Sequence, residues 1–383
     1  MLRWGTLNSL GYFINNMAGR LVQTARRQVS RTWRPYSRLI LVSDSPVWVL
    51  AEEMRELASL SRRLGIRVAA AGWLEAAARQ SLFFASHFQL MRSKQWPGRD
   101  HRLGTAYFHG KPGTGTPLFD ECYQRLCREH SRIERIQASH TEMRDLVLAS
   151  GIAPEKVFLI PIAVNPSFFA MQTPESRRQA RDQLGLPQSA ALVGSFQKDG
   201  NGWGEGLEPK LVKGPDIFLQ TLEILKEKIP ELFVLLSGPA RGYVKAGLER
   251  LKVPYKHLYF KSYPEVGQLF QALDLYLVTS RQEGGPKAVL EAMASGVPLV
   301  TTRVGQAMDL VRPGENGWMV ESEDVEGLAH WVEYVLGHPS GLSGVLAEGR
   351  LTAEANSYEA QLPLWRNFMR GFVDFPGAEA FCA

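Results

Sequence analysis

An α/β fold with two doubly wound parallel sheets is what this sequence predicts, and three observations predict it. Short apolar runs alternate with amphipathic stretches from residue 38 onward. The alternation lapses over a polar, charged stretch at 166–187 and restarts at Ala191. The chain has 383 residues, enough for two α/β domains of ordinary size. Such alternation places helices on both faces of a parallel sheet.

Residues 1–37 precede the alternation. Leu7, Leu10, Ile14, Met17 and Leu21 recur at helical spacing there, beside Trp4, Tyr12 and Phe13. Gly5, Gly11 and Gly19 weaken an isolated helix, which favours a helix packed on its own domain. Seven arginines and no acid in residues 1–38 keep a second reading open, an interfacial helix on an anionic membrane. The formal net charge of +5 resides in this arm, because the remaining chain holds 37 basic and 39 acidic residues. The segment between Arg3 and Arg20 is too polar for a secretory signal.

The first domain is expected over 38–170, with strands at 38–42, 66–70, 82–85, 105–108, 136–138 and 157–160. Each is a short apolar run. Helices are expected at 47–64, at 117–130 and through Leu148. The second domain, 171–355, has strands at 191–194, 232–237, 258–260, 275–278 and 298–301. Its helices run near 215–228, 241–251 and 264–273, and two more near 344–355 and 358–372 close the chain. Composition is that of a globular protein, 45% hydrophobic and 22% charged, with no apolar run long enough to span a bilayer. Cys122, Cys127 and Cys382 form neither a zinc spacing nor an even framework, which fits a reducing cytoplasm.

The most informative stretch is Glu283-Gly284-Gly285-Pro286-Lys287-Ala288-Val289-Leu290-Glu291. It reads as a glycine loop entering a helix, with Pro286 at the first helical position and Gly296 and Pro298 closing it. Glycines before a helix N-terminus let backbone N–H groups approach an anion. Two carboxylates cannot bind that anion but can accept from hydroxyls. The ligand so implied carries both sugar and phosphate.

Ligands of open α/β sheets bind at the carboxyl ends of the strands. In the second domain those ends carry Gly194-Ser195 and Lys198, then Lys213, Gly238 and Arg241, Lys261, and Ser280 through Gly285. A diphosphate would use Lys198, Lys213, Arg241 and the loop at 284–285. Each residue has a plainer reading: Lys213 as a solvated loop cation, Glu291 as a helix acid paired with a neighbour, Arg241 at a helix start. Convergence on one sheet edge favours a site. No Asp-x-Asp pair or His/Cys ligand spacing occurs, so no metal is expected.

These residues resemble the retaining glycosyltransferases of family 4, which share the GT-B fold of two Rossmann-like domains facing a cleft. The likeness is strongest over 192–320. Glu283 and Glu291 resemble the family's Glu-x7-Glu motif, and its flanks resemble Ala272-Leu273-Asp274, Ser280, Glu291 through Pro298 and Glu315-Asn316-Gly317. The resemblance implies that Glu283 contacts the donor sugar at the reacting carbon and Glu291 the ribose hydroxyls. Backbone N–H groups from Gly284, Gly285 and the residues after Pro286, Lys287 first, would hold sugar and phosphate, and Lys213 the diphosphate. Ser195 stands where the family usually has arginine; Lys198 is the nearest substitute, with a glycine-rich insertion at 199–211 between it and Lys213. Residues 160–165 resemble the family's crossover segment, and 356–383 its last helix, which crosses back onto the first domain. His109 resembles the histidine that faces the transferred sugar, with His87 as a rival, and Ser43-Asp44-Ser45 would line the cleft.

The activity so implied is transfer of a sugar from a UDP, GDP or ADP sugar to a glycan or lipid-linked acceptor, with retention. Neither metal nor cofactor is expected. The rivals are a related epimerase or phosphorylase, and a catalytically silent scaffold subunit. The chain would be cytoplasmic, with membrane contact through 1–37; nothing outside that arm supports a nucleic-acid partner.

Overall fold

The computed structural model describes residues 35–43, 48–70, 79–260 and 262–376. Asp44, Ser45, Lys261, Cys382 and nearly all of the basic arm lie outside the described residues. The chain divides into two compact units. One comprises the described residues through Ile160 together with those from Gln361 on, and the other is Pro161–Ala360. The sequence reading places these divisions at 170/171 and 355/356.

The first unit contains β1 (Arg38–Val42), α1 (Trp48–Arg63), β2 (Arg67–Ala70), β3 (Ser81–Phe84), α2 (His87–Met91) and β4 (Arg102–Tyr107). It continues through α3 (Pro117–Glu129), β5 (Ile133–Ala138), α4 (Thr141–Ala149) and β6 (Val157–Leu159). All its strand pairings are parallel, in the order β2-β1-β3-β4-β5-β6. Helix α2 has no counterpart in the sequence reading, being only five residues long.

The second unit contains α5 (Pro174–Leu184), β7 (Ala191–Phe196), α6 (Pro215–Leu225), β8 (Leu232–Ser237), α7 (Gly242–Leu251) and β9 (Tyr255–His257). It continues through α8 (Val266–Gln271), β10 (Leu275–Val278), α9 (Lys287–Ala294), β11 (Leu299–Thr302), α10 (Ala307–Leu310), β12 (Trp318–Val320), α11 (Val325–Gly337) and α12 (Ser343–Ala355). Its parallel sheet runs β12-β11-β10-β7-β8-β9. Both faces are covered: Leu192 and Leu235 enter one core, Val193, Val234 and Leu236 the other. Burial on both faces is why these strands read as apolar runs without alternation.

Strand β9 is Tyr255–His257, three residues before the predicted 258–260. Strand β12 was not expected, because Gly317 and the turn before it mask three apolar residues.

Helix α13 (Leu362–Met369) belongs to the first unit. Trp365, Phe368, Met369 and Phe372 enter a core with Leu39, Leu57 and Phe83. The Arg135 guanidinium fastens its end, donating to the carbonyls of Phe368 at 3.0 Å and Arg370 at 2.7 Å. Arg102 donates to the Phe372 carbonyl at 3.2 Å.

Candidate active site

In the second sheet β7 lies between β8 and β10, and the strand order reverses there. Such a reversal opens a crevice at the carboxyl ends of the two strands. From β7 the chain runs into Gln197 and Lys198, and from β10 into Ser280 and Glu283. Gly194 and Ser195 lie inside β7, not beyond it, and both are buried. A Cβ on Gly194 would come within 2.4 Å of the Leu273 side chain, which would have to move aside.

Lys213 and Glu283 meet. The Lys213 ammonium lies 2.5 Å from Glu283 Oε2, and the Ser280 hydroxyl donates to Oε1 at 2.8 Å. Both segments are fixed from below. The amides of Arg281 and Gln282 each donate to the Val212 carbonyl at 3.0 Å. The Arg281 guanidinium grips Asp216 with two bonds of 2.7 Å, which holds it fully protonated, and also takes the Leu211 carbonyl at 2.8 Å. Gly214 has φ +61°, and a Cβ there would lie 1.8 Å from the Thr279 carbonyl oxygen. The approach of the two segments therefore requires glycine.

The glycine loop is equally constrained. A Cβ on Gly285 would meet Gln306 and Ile162 at 2.7 Å each. Gln306 is buried and accepts from the Ile162 amide at 2.8 Å, which ties the loop to the segment after Pro161. Pro286 is the N-cap of α9, one place before the expected first helical position.

Glu291 is 5% exposed and accepts a hydrogen bond from the Tyr263 hydroxyl. The Lys287 side chain is not a donor-site cation. It is 6% exposed, donates to the Tyr358 hydroxyl at 2.9 Å and lies within 4.9 and 5.2 Å of the Tyr263 and Tyr358 ring centroids. Only its backbone is left to serve a ligand.

Arg241 is likewise taken out of the predicted set. It is 1% exposed, and its guanidinium donates to the Ser195 carbonyl at 2.5 Å, the Ser237 carbonyl at 2.7 Å and the Ser195 hydroxyl at 3.1 Å. Its Nε lies 2.9 Å from the buried Asp199 carboxylate, an ionic contact. Ser195 is thus sealed beneath Arg241. Gly238 ends β8 with φ +100°, its carbonyl 2.8 Å from His257 Nε2.

Lys210 closes the glycine-rich segment after β7 and stands outside the residues expected to hold the diphosphate. It adjoins the turn that carries Lys213, and its ammonium feels the charges of Lys213, Glu283 and Lys198. Burial and then Lys213 lower its pKa. Lys198 is lowered by burial and by Lys213, against the opposing pull of Asp199. Its Nζ donates to the Gly200 carbonyl at 3.0 Å and lies 5.1 Å from the Trp203 ring centroid.

In the first unit, His109 follows β4 within an aromatic group. Its ring lies 5.1 Å from Phe88, 5.8 Å from Phe119 and 6.3 Å from His87. His87 is the more deeply buried of the two. It is 1% exposed and stacks on Tyr107 at 3.8 Å, and burial holds its pKa well below the ordinary value. Ser43 is exposed after β1. Among the described residues no helix is long and apolar enough to cross a membrane.

The two parallel six-stranded sheets define the class of fold. The structure of HepE from Anabaena in complex with UDP and glucose superposes with a TM-score of 0.69 at 17% identity, over 87% of this chain and 100% of that one. The fold is GT-B, two Rossmann-like units in one chain. Residues 207–343, within the second unit, match the family described as Glycosyl transferases group 1. The D-inositol 3-phosphate glycosyltransferase of Mycobacterium bovis is 27% identical over 307 residues, 74% of this chain and 58% of the relative. D-inositol 3-phosphate glycosyltransferase 1 of Catenulispora acidiphila is 28% identical over 276 residues, 64% and 59% respectively. The chain thus spans under three-fifths of the length of these relatives.

Proposed function

We propose that this chain is a retaining, metal-independent glycosyltransferase. It would move a hexose from a UDP-sugar to a glycan or lipid-linked acceptor. The observation that carries the reading is the Lys213–Glu283–Ser280 contact at the β7/β10 strand ends. A donor diphosphate would compete with Glu283 for the Lys213 ammonium, leaving the carboxylate to accept from sugar hydroxyls. Charge developing on the departing diphosphate would be held by fixed lysines, which need no reorganisation as the bond breaks. Glu291 would receive the ribose hydroxyls, and Gly284, Gly285 and the Lys287 backbone would approach the phosphate and sugar. His109 would orient the transferred sugar.

The UDP bound to HepE supports uridine as the base, and the relatives' names support a hydroxyl acceptor. The seven arginines of residues 1–38 support an acceptor at the cytoplasmic membrane face.

A thermal-shift series with UDP, GDP, ADP and their glucose conjugates tests the donor, since a ligand of the folded state raises the melting point. UDP and UDP-glucose should raise it, and EDTA should leave donor hydrolysis unchanged. Glu283→Ala should lower turnover by about 10²-fold or more, as loss of one transition-state contact does, while UDP still binds. Turnover at the parent rate in that variant would remove Glu283 from the mechanism. UDP binding with neither transfer nor donor hydrolysis in the parent would favour a silent binding subunit.

A further inference from the structure

We infer that Tyr263 is a positioning residue: its hydroxyl fixes the Glu291 carboxylate in the orientation that receives the ribose hydroxyls. The inference rests on the reading of Glu291 proposed above and adds the residue that aims it.

Glu291 is anchored firmly through its backbone. It belongs to α9, whose residues from Val289 to Ala294 are all buried. A glutamate side chain still has several rotatable bonds between that backbone and its carboxylate. The Tyr263 hydroxyl donates to Glu291 Oε1 and restricts them. A mobile carboxylate loses rotamer freedom when a ligand arrives, and fixing it beforehand spares that cost. The type of donor matters as well. An ionised carboxylate offers about four lone-pair sites on its two oxygens. A phenol takes one of them and brings no positive charge, so it orients the carboxylate without neutralising it.

Tyr263 is itself braced. Its ring meets Phe168 and Phe169 edge-on, at centroid distances of 6.3 and 5.8 Å. The Lys287 ammonium lies 4.9 Å from the centroid of the same ring and 5.2 Å from that of Tyr358, and donates to the Tyr358 hydroxyl at 2.9 Å. A cation over an aromatic face is held by the ring quadrupole. Tyr358 is fixed in turn by its amide, which donates to the Val164 carbonyl at 3.3 Å. Lys287 and Glu291 stand four residues apart on α9 and share a face of it. The Lys287 side chain thereby gains a use: it steadies the ring whose hydroxyl steers Glu291. All of these residues lie within the second unit. Core packing alone needs only the ring of Tyr263; the hydroxyl is what reaches the carboxylate.

The test is isothermal titration of the full-length chain with UDP and with 2′,3′-dideoxy-UDP, which lacks the ribose hydroxyls. The parent should bind UDP about tenfold or more tightly than the dideoxy compound, the worth of hydrogen bonds to a charged group. Tyr263→Phe keeps the ring and loses the donor. It should weaken UDP about fivefold to tenfold and leave the dideoxy compound within about twofold of the parent. It should raise KM for UDP-glucose with kcat unchanged, as loss of uniform binding does. On a Glu291→Gln background the same substitution should change UDP affinity by less than about twofold. Equal weakening of both nucleotides by Tyr263→Phe, or no weakening of either, would overturn the positioning role and leave Glu291 as the ribose acceptor. Tighter UDP binding in that variant would overturn it too, by making Tyr263 a competitor for the carboxylate. A parent that binds both nucleotides alike, or neither, would overturn the reading of Glu291 and the inference with it.

Discussion

Arg241 shows how one residue changes meaning once its partners are known. At a strand end beside Gly238 it reads as a phosphate cation; in the fold it is a buried strut across Ser195, Ser237 and Asp199. Removing one member of a buried ion pair strands the other charge and costs about 3–5 kcal/mol. Arg241→Met should therefore lower stability in urea denaturation by about that amount, with UDP affinity in the folded protein nearly unchanged. A variant that melts like the parent yet loses UDP would return Arg241 to the site. The contrast with Glu283 and Lys213 explains what was legible. Glu283 sits in a contiguous Glu-Gly-Gly-Pro motif that the sequence displays whole, and Gly305 beyond it lets the chain pass close to the Glu283 and Gly284 carbonyls. Arg241 depends on Asp199, a relation with no local signal.

Elements failed in the sequence reading where burial is not apolar. The stretch that forms helix α5 reads in the sequence as a polar junction, although Thr173 and Ser176 form a reciprocal capping box and Gly185 ends it at φ +59°. Its buried residues are Ala180 and Arg181, and Arg181 donates to the Ala272 carbonyl at 2.9 Å and to Asp274 at 2.6 Å. A helix anchored largely by an ion pair shows only a short apolar stripe, here Ala180 and Leu184. Asp274, which resembles a family flank, is thereby structural: its carboxylate also accepts from the Leu192 amide at 2.8 Å. The 199–211 loop was likewise legible only as an insertion. Its docking needs Gly206, whose φ is +74° and whose Cβ would lie 2.1 Å from the Ala240 carbonyl oxygen. Gly206→Ala should cost more than about 1 kcal/mol, because both the dihedral and the contact reject a side chain. Hydrogen exchange should then quicken at the Gly242 and Tyr243 amides. Parent-like protection there would mean that the loop stays docked without its glycine.

At the scale of the whole molecule the chain order has a consequence. The second unit is one continuous segment, Pro161–Ala360, whereas the first is closed by residues from both sides of it. Both cores of the second unit draw only on residues within that segment. One core of the first unit takes Trp365, Phe368, Met369, Phe372 and Val373 from beyond residue 360. Loss of a single buried Phe or Trp side chain costs about 3–5 kcal/mol, and a domain has only about 5–15 kcal/mol in total. Truncation after Ala360 should therefore unfold the first unit and spare the second. The segment 161–360, expressed alone, should melt cooperatively and gain melting temperature with UDP, because Lys198, Lys213, Glu283 and Glu291 all lie within it. Calorimetry of the parent, the truncated chain and the isolated segment separates the outcomes. An isolated segment without a cooperative transition would show that the second unit depends on the first. A truncated chain that melts as the parent does would show that α13 is dispensable to the core it enters.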